Sequence, residues 1–78
     1  MATDQRRLAR LYSTRSRVYR RLERYEQEIE DLSESIKLAP NSPFGYRWSL
    51  RGRAYKAIGK SEEAARDFAK ANELRDAG

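Results

Sequence analysis

The sequence contains no cysteine and no histidine among its 78 residues. Without cysteine the chain can form no disulfide, thiol nucleophile or thiolate metal site. Without histidine it lacks the commonest general base and the commonest neutral metal ligand. Its four glycines stand apart at positions 45, 52, 59 and 78, so there is no glycine-rich phosphate loop. We therefore expect no catalytic residue, no metal and no cofactor, and so a protein that is not an enzyme.

Large apolar residues are also scarce, since leucine, isoleucine, valine and phenylalanine make up 13 of the 78 residues. No apolar run approaches the roughly 20 residues that a membrane span needs. These features predict one small domain over residues 1–78 with a thin helical core, or else a segment that orders on a partner. The lack of cysteine and of a signal peptide favours the cytoplasm. Seven arginines and no acid between Gln5 and Leu22 also resemble a mitochondrial transit peptide, an alternative to a first structural helix.

The chain repeats itself when it is shifted by 36 residues, which places residues 12–20 on residues 48–56. The identical pairs are Ser13/Ser49, Arg15/Arg51, Arg17/Arg53, Tyr19/Tyr55, Glu26/Glu62, Asp31/Asp67 and Leu38/Leu74. The same order of apolar, basic and acidic positions therefore occurs twice. A repeat of this length predicts two copies of one supersecondary unit.

Each unit is predicted to contain two helices, because apolar residues recur at steps of three and four. The predicted apolar face of the first helix consists of Leu8, Leu11, Tyr12, Val18, Tyr19 and Leu22. Pro40 ends the second helix, Ser42 and Pro43 begin the third, Gly59 ends it in a left-handed turn, and Ser61 caps the fourth. The helices are expected at 4–22, 25–38, 43–58 and 61–75. A plain four-helix bundle is the alternative.

The second unit resembles the tetratricopeptide repeat, whose pattern is W-x2-L-G-x2-Y, then A-x3-F, then P. The residues that carry this resemblance are Trp48, Gly52, Tyr55, Gly59, Ala64, Phe68 and Ala71 in the second unit, and Tyr12, Ser16, Tyr19, Leu32, Ser35 and Pro40 in the first. Arg51 replaces the leucine of the pattern, and the closing proline is absent. Glu28 replaces a small residue at the helix contact, and we expect it to pair with an arginine such as Arg24, four residues back.

The resemblance implies an all-α fold of two tetratricopeptide-like antiparallel helical hairpins, stacked as a short right-handed α-solenoid. Its repeats would cover residues 9–42 and 45–75. In this architecture the first helix of each repeat lines a concave groove and the second forms the outer surface. The first helices are basic in this sequence and the second helices are acidic. The resemblance therefore implies a basic groove.

Helical spacing independently predicts a polar face on each first helix, opposite the apolar residues. The candidate partner-binding residues on these faces are Arg10, Ser13, Arg17, Arg20, Arg24, Tyr46, Ser49, Arg53 and Lys56. Arginine suits this role because its planar guanidinium binds carboxylates with two hydrogen bonds. The alternative is that these charges are merely solvated.

We expect a non-catalytic protein–protein interaction module that binds an acidic peptide or protein segment in the basic groove. One alternative is nucleic-acid binding through the arginine-rich first helix, which the acidic second helices disfavour. Another is self-association as a homodimer or homo-oligomeric scaffold, because two repeats bury little surface and nothing caps the last helix. Its candidate contact residues are Phe68, Ala71 and Leu74.

Overall fold

Four helices make up most of the chain in the computed structural model, which describes residues 5–41 and 45–77. They are α1 (Gln5–Arg21), α2 (Tyr25–Leu38), α3 (Tyr46–Ala57) and α4 (Ser61–Ala77). The predicted helices lie within a few residues of these bounds. Position 4 and the predicted helix start at Ser42, Pro43 and Phe44 lie outside the described residues. No described helix has the length and apolar character needed to cross a membrane.

The turns inside the two hairpins share one backbone conformation. Gly59 follows α3 with φ +81°, as predicted, and the next N–H, that of Lys60, donates to the Tyr55 carbonyl at 2.9 Å. Glu23 holds the equivalent place after α1 with φ +58°, and the Arg24 N–H donates to the Tyr19 carbonyl at 2.9 Å. The 36-residue repeat therefore extends to the turns. Glycine suits this left-handed conformation, whereas glutamate is strained in it.

The helices pack in chain order, α1 on α2, α2 on α3, and α3 on α4. The result is a thin slab with dimensions of 39 × 30 × 15 Å. Its buried apolar residues, within the described part of the chain, are Ala9, Leu32, Ile36, Ala54, Ala64 and Ala71. Four of these six are alanine, so the helices meet through short side chains and lie close together.

Glycine is needed where α3 meets α4. A Cβ atom on Gly45 would lie 2.6 Å from the Cα of Ala71, and Gly45 has φ +64°. A Cβ atom on Gly52 would lie 2.9 Å from the Phe68 ring. A side chain at Gly45 would therefore require α4 to move away, and one at Gly52 would require the Phe68 ring to shift.

The predicted apolar face of α1 is not the face that packs in the hairpin, although Tyr12 and Tyr19 of that face are half-buried. Leu8, Leu11, Val18 and Leu22 are exposed, whereas α1 buries Ala9, Ser13 and Ser16. The buried serines are hydrogen-bonded: Ser16 Oγ donates to the Ser13 carbonyl at 2.6 Å, and Ser35 Oγ of α2 donates to the Ala9 carbonyl at 2.6 Å. Close approach of α1 and α2 selects small residues rather than the most apolar ones.

Candidate functional site

Two arginine–aspartate pairs hold the hairpins together. Arg51 on α3 donates from Nε and Nη2 to the two carboxylate oxygens of Asp67 on α4, both at 2.8 Å. Arg15 on α1 makes the same contacts with Asp31 on α2, at 2.8 and 2.6 Å. Both aspartates are buried. The two pairs are related by the 36-residue repeat, so one structural device occurs once in each hairpin.

Aromatic rings flank each of these guanidinium groups. The Arg51 Cζ lies 5.1 Å from the Trp48 ring centroid and 5.6 Å from that of Tyr55. In the first hairpin, Arg15 lies 5.6 Å from the Tyr12 centroid and 5.8 Å from that of Tyr19. These contacts are cation–π interactions.

Hydrogen bonding to the aspartates raises the pKa of both arginines, which stay charged. The guanidinium groups of Arg15 and Arg51 therefore have partners within the protein. Sequence reasoning missed these pairs. Their signal was present, since both arginines and both aspartates are identical across the repeat.

The predicted partner-binding residues, with the exception of Ser13, are accessible on α1, α3 and the turn after α1. Arg10, Arg17, Arg24, Tyr46, Arg53 and Lys56 are exposed, while Arg20 and Ser49 are half-buried. We call these eight side chains the basic surface. Ser13 is buried in the contact between helices, because it occupies one of the small-residue positions of α1. Its place in the predicted polar face is therefore wrong.

One hydrogen bond joins the two parts of the basic surface. The Arg17 Nη2 of α1 donates to the Tyr46 hydroxyl of α3 at 2.7 Å. Both side chains are exposed, and they are 29 residues apart in the chain. The first helices of the two hairpins therefore present adjacent exposed residues.

A buried carboxylate lies beneath this surface. Glu28 of α2 is almost completely buried, and its Oε2 lies 3.6 Å from the Arg20 Nη1. The expected pairing of Glu28 with an arginine is present, but the partner is Arg20 and not Arg24, which is exposed. Burial raises the pKa of Glu28, and the positive charges of Arg20 and Arg53 partly oppose this shift.

A cavity of about 650 Å³ opens beside the start of α1 and the end of α2. Three arginines, Arg6, Arg10 and Arg47, line it together with Gln5 and the segment 38–41. The Nε of Arg47 is buried and has no hydrogen-bond partner among the described residues. Sequence reasoning did not single out Arg6 and Arg47, because only the folded chain brings the start of α1 beside α3.

The predicted self-association residues on α4 are only partly accessible. Phe68 and Leu74 are half-buried, and the Phe68 ring faces Gly52 of α3. Ala71 is buried against Gly45, so it is not part of an exposed contact. Ala71, which was predicted to contact a partner, instead packs α4 on α3.

Comparison with known families adds a second line of evidence. A sequence model described as the tetratricopeptide repeat matches residues 9–42 and 47–77, which is most of the chain. The chain belongs to the tetratricopeptide repeat family. Its four helices are thus two tetratricopeptide hairpins in a helical solenoid, and the expected fold is confirmed.

Tetratricopeptide repeats indicate a protein–protein interaction module, and the family is typically non-catalytic. No solved structure matches the chain significantly. Within residues 5–41 and 45–77, no group of three acidic side chains is placed to hold a metal ion.

Proposed function

We propose that this tetratricopeptide protein binds an acidic peptide or protein segment along its basic surface. The observation that carries the proposal is the hydrogen bond between Arg17 and Tyr46, which makes α1 and α3 one continuous exposed surface. A segment lying there meets cations from both hairpins. Two repeats then act as a single binding unit.

The charges of this surface are largely available to a ligand. Arg10, Arg17, Arg53 and Lys56 are exposed, and none of them forms an ion pair with another described residue. One exposed ion pair contributes at most about 1 kcal/mol. Several such pairs are needed together, so an extended segment with spaced carboxylates fits better than a single anion.

Different residues of the basic surface have different roles in this proposal. Arg20 shares its charge with buried Glu28 and therefore contributes less to a ligand than Arg17 or Arg53. The exposed Tyr46 ring offers contact area for an apolar side chain between carboxylates.

The arginine-lined cavity extends the surface toward the start of α1. Arg10 belongs to both, so a carboxylate in the cavity would continue the line of contacts. The Arg6, Arg10 and Arg47 side chains that line the cavity supply the positive charge for it.

The test is a charge reversal with a matched control. Arg17→Glu/Arg53→Glu changes the basic surface, while Lys37→Glu/Arg66→Glu makes the same change of net charge at exposed positions of α2 and α4. Binding of a labelled pool of acidic peptides is measured by fluorescence anisotropy. We expect the first variant to lose about ten-fold or more in affinity, which is about 1.4 kcal/mol, and the control to bind like the wild type.

Equal losses in both variants would contradict the proposal, because they would show attraction by net charge alone. A single-stranded RNA provides the comparison ligand. RNA binding that exceeds peptide binding and weakens steeply with salt, with a log–log slope of about −0.7 per phosphate contact, would favour nucleic-acid binding instead.

A further inference from the structure

Helix α1 carries an exposed apolar stripe that no described residue covers. The stripe consists of Leu8, Leu11, Val18 and Leu22, and the last three are each more than half exposed. With Arg15 between Leu11 and Val18, their spacing is three, four, three and four residues. This is the spacing of a helix face that packs along another helix.

The second hairpin shows what kind of helix covers this face. A shift of 36 residues places Val18 on Ala54 of α3, and Leu22, which follows α1, on Ile58, which follows α3. Ala54 is fully buried, and α3 packs on α2, the outer helix of the preceding hairpin. By analogy, the corresponding face of α1 is suited to pack on the second helix of another hairpin.

Arg51 and Arg15 differ in the same way, since one is covered by a neighbouring helix and the other is exposed. Arg51 donates to Ser33 Oγ of α2 at 3.1 Å, and its side chain is only 17% exposed. The equivalent Arg15 side chain is 58% exposed. The first arginine–aspartate pair thus lacks, among the described residues, the neighbouring helix that the second pair has.

The opposite end of the molecule offers a helix of the required kind. Helix α4 is the outer helix of the second hairpin, and no described helix follows it. The shift places Ile29 and Ser33 of α2 on Ala65 and Ala69 of α4, which are both exposed. Leucines on α1 and alanines on α4 are complementary in size, since large and small residues interdigitate across a helix contact.

Charge favours α4, rather than a second α1, as the helix that packs on α1. Helix α1 has seven arginines and no acidic residue, so two α1 helices side by side would repel each other. Helix α4 has five acidic and three basic residues. A basic helix on an acidic one is the arrangement already present between α3 and α2.

We propose that the α1 stripe packs on the exposed face of α4 in a second copy of this chain, so that the molecules stack head to tail. The interface continues the solenoid from one chain into the next and covers Arg15 as α2 covers Arg51. Because the contact joins two different surfaces, each added copy leaves another end open. The stack therefore grows with concentration unless it closes into a ring. This proposal does not depend on a ligand for the basic surface.

Two variants that block opposite ends test the proposal. Leu11→Asp/Val18→Asp blocks α1, and Ala65→Arg/Ala69→Arg blocks α4 with bulk and positive charge. All four positions are exposed, and circular dichroism verifies that each variant is folded. The matched controls are Gln5→Asp/Ala57→Asp and Gln5→Arg/Ala57→Arg, which place the same charged residues at exposed positions outside the stripe and the α4 face.

Sedimentation velocity over a concentration series gives the readout. We expect the wild type and the controls to sediment faster as concentration rises, and each blocked variant alone to stay monomeric. An equal mixture should form a dimer and nothing larger, because one intact α1 meets one intact α4. A wild type that is monomeric throughout would overturn the proposal. So would an α4-blocked variant that still dimerises alone, the result expected of a symmetric α1 pair.

Discussion

The arginine–aspartate pairs show how a single residue can depart from a family pattern and remain structural. Arg51 stands where the tetratricopeptide pattern has leucine, yet it lies between two aromatic rings and bonds a buried carboxylate. Its aliphatic stem takes the place of the leucine, and its head group requires Asp67. Arg51 and Asp67 therefore replace an apolar contact as a pair, and each requires the other.

This coupling predicts non-additive effects on stability. Arg51→Leu alone should lower the free energy of unfolding by about 3 kcal/mol, because it leaves the Asp67 carboxylate buried without its partner. Arg51→Leu/Asp67→Leu should recover most of that loss. Urea unfolding followed by circular dichroism measures both, with the exposed Arg66→Leu as a control that changes stability by less than about 0.5 kcal/mol. Additive losses would argue against the coupling.

Buried Glu28 predicts a pH dependence of a defined sign. Burial raises its pKa above the ordinary value of 4.5, so the folded protein holds this proton more tightly than the unfolded chain does. The stabilisation is fully present below the unfolded pKa and is lost as pH rises through the folded pKa. The glutamine in Glu28→Gln has no carboxyl group to ionise, so this variant does not lose stability in this way as pH rises. Its unfolding free energy relative to the wild type should therefore increase from about pH 4 upward.

Urea titrations of the wild type and Glu28→Gln at a series of pH values give this difference directly. A difference that stays constant with pH would contradict the assignment. The sequence showed that a carboxylate stood at a small-residue position, but not its partner. Arg20 lies in α1 and Arg24 lies in the turn after it. Only the structure shows which of the two side chains reaches Glu28.

At the scale of helices and turns, the repeat transmits backbone conformation as well as side chains. Glu23 and Gly59 occupy equivalent turns with positive φ, so the first hairpin uses glutamate where the second uses glycine. A glutamate Cβ crowds the neighbouring carbonyl in this conformation. The first turn is therefore strained in a way that the second is not.

Glu23→Gly should relieve this strain and raise the free energy of unfolding by about 0.5 kcal/mol, after allowance for the greater freedom of glycine in the unfolded chain. Glu23→Ala removes the same carboxylate but keeps the Cβ atom, so it should give no gain. Chemical unfolding of the two variants side by side separates the backbone effect from the charge effect. Equal gains would show that the carboxylate, and not φ, is responsible.

Helix positions could be predicted from this sequence, but the faces of α1 could not. Pro40, Gly59 and the apolar spacing placed the helices within a few residues of their observed bounds. Sorting α1 by hydrophobicity chose the leucine stripe as the core, whereas the hairpin contact selected Ala9 and Ser16 by size. The exposure of the basic residues could be predicted, because a charged side chain on the surface does not depend on the position of another helix. The same reasoning included Ser13, whose size places it inside.

At the scale of the whole molecule, contacts between the hairpins are as specific as those within them. Trp48 Nε1 donates to the Pro40 carbonyl at 3.0 Å, Arg51 reaches Ser33, and Arg17 reaches Tyr46. Each contact joins one hairpin to the other. Since a single repeat cannot bury its own apolar face, the two hairpins depend on each other for folding.

Separate peptides covering residues 1–42 and 43–78 should therefore be largely unfolded alone. Mixing them should restore helicity, and the Trp48 emission should shift to shorter wavelength as its ring regains the contact with Pro40. Far-ultraviolet circular dichroism and fluorescence follow the two changes. Full helicity in either isolated peptide would contradict this dependence.

The 15 Å thickness of the slab has a consequence for how such a chain can change. Most of the described side chains lie on the faces of this slab, where substitutions can create new recognition without disturbing the interior. The alanine seams have no such freedom, because one added methylene would separate two helices along their whole length. Substitutions that preserve this fold are thus expected on its faces, while the helix spacing depends on the alanine positions.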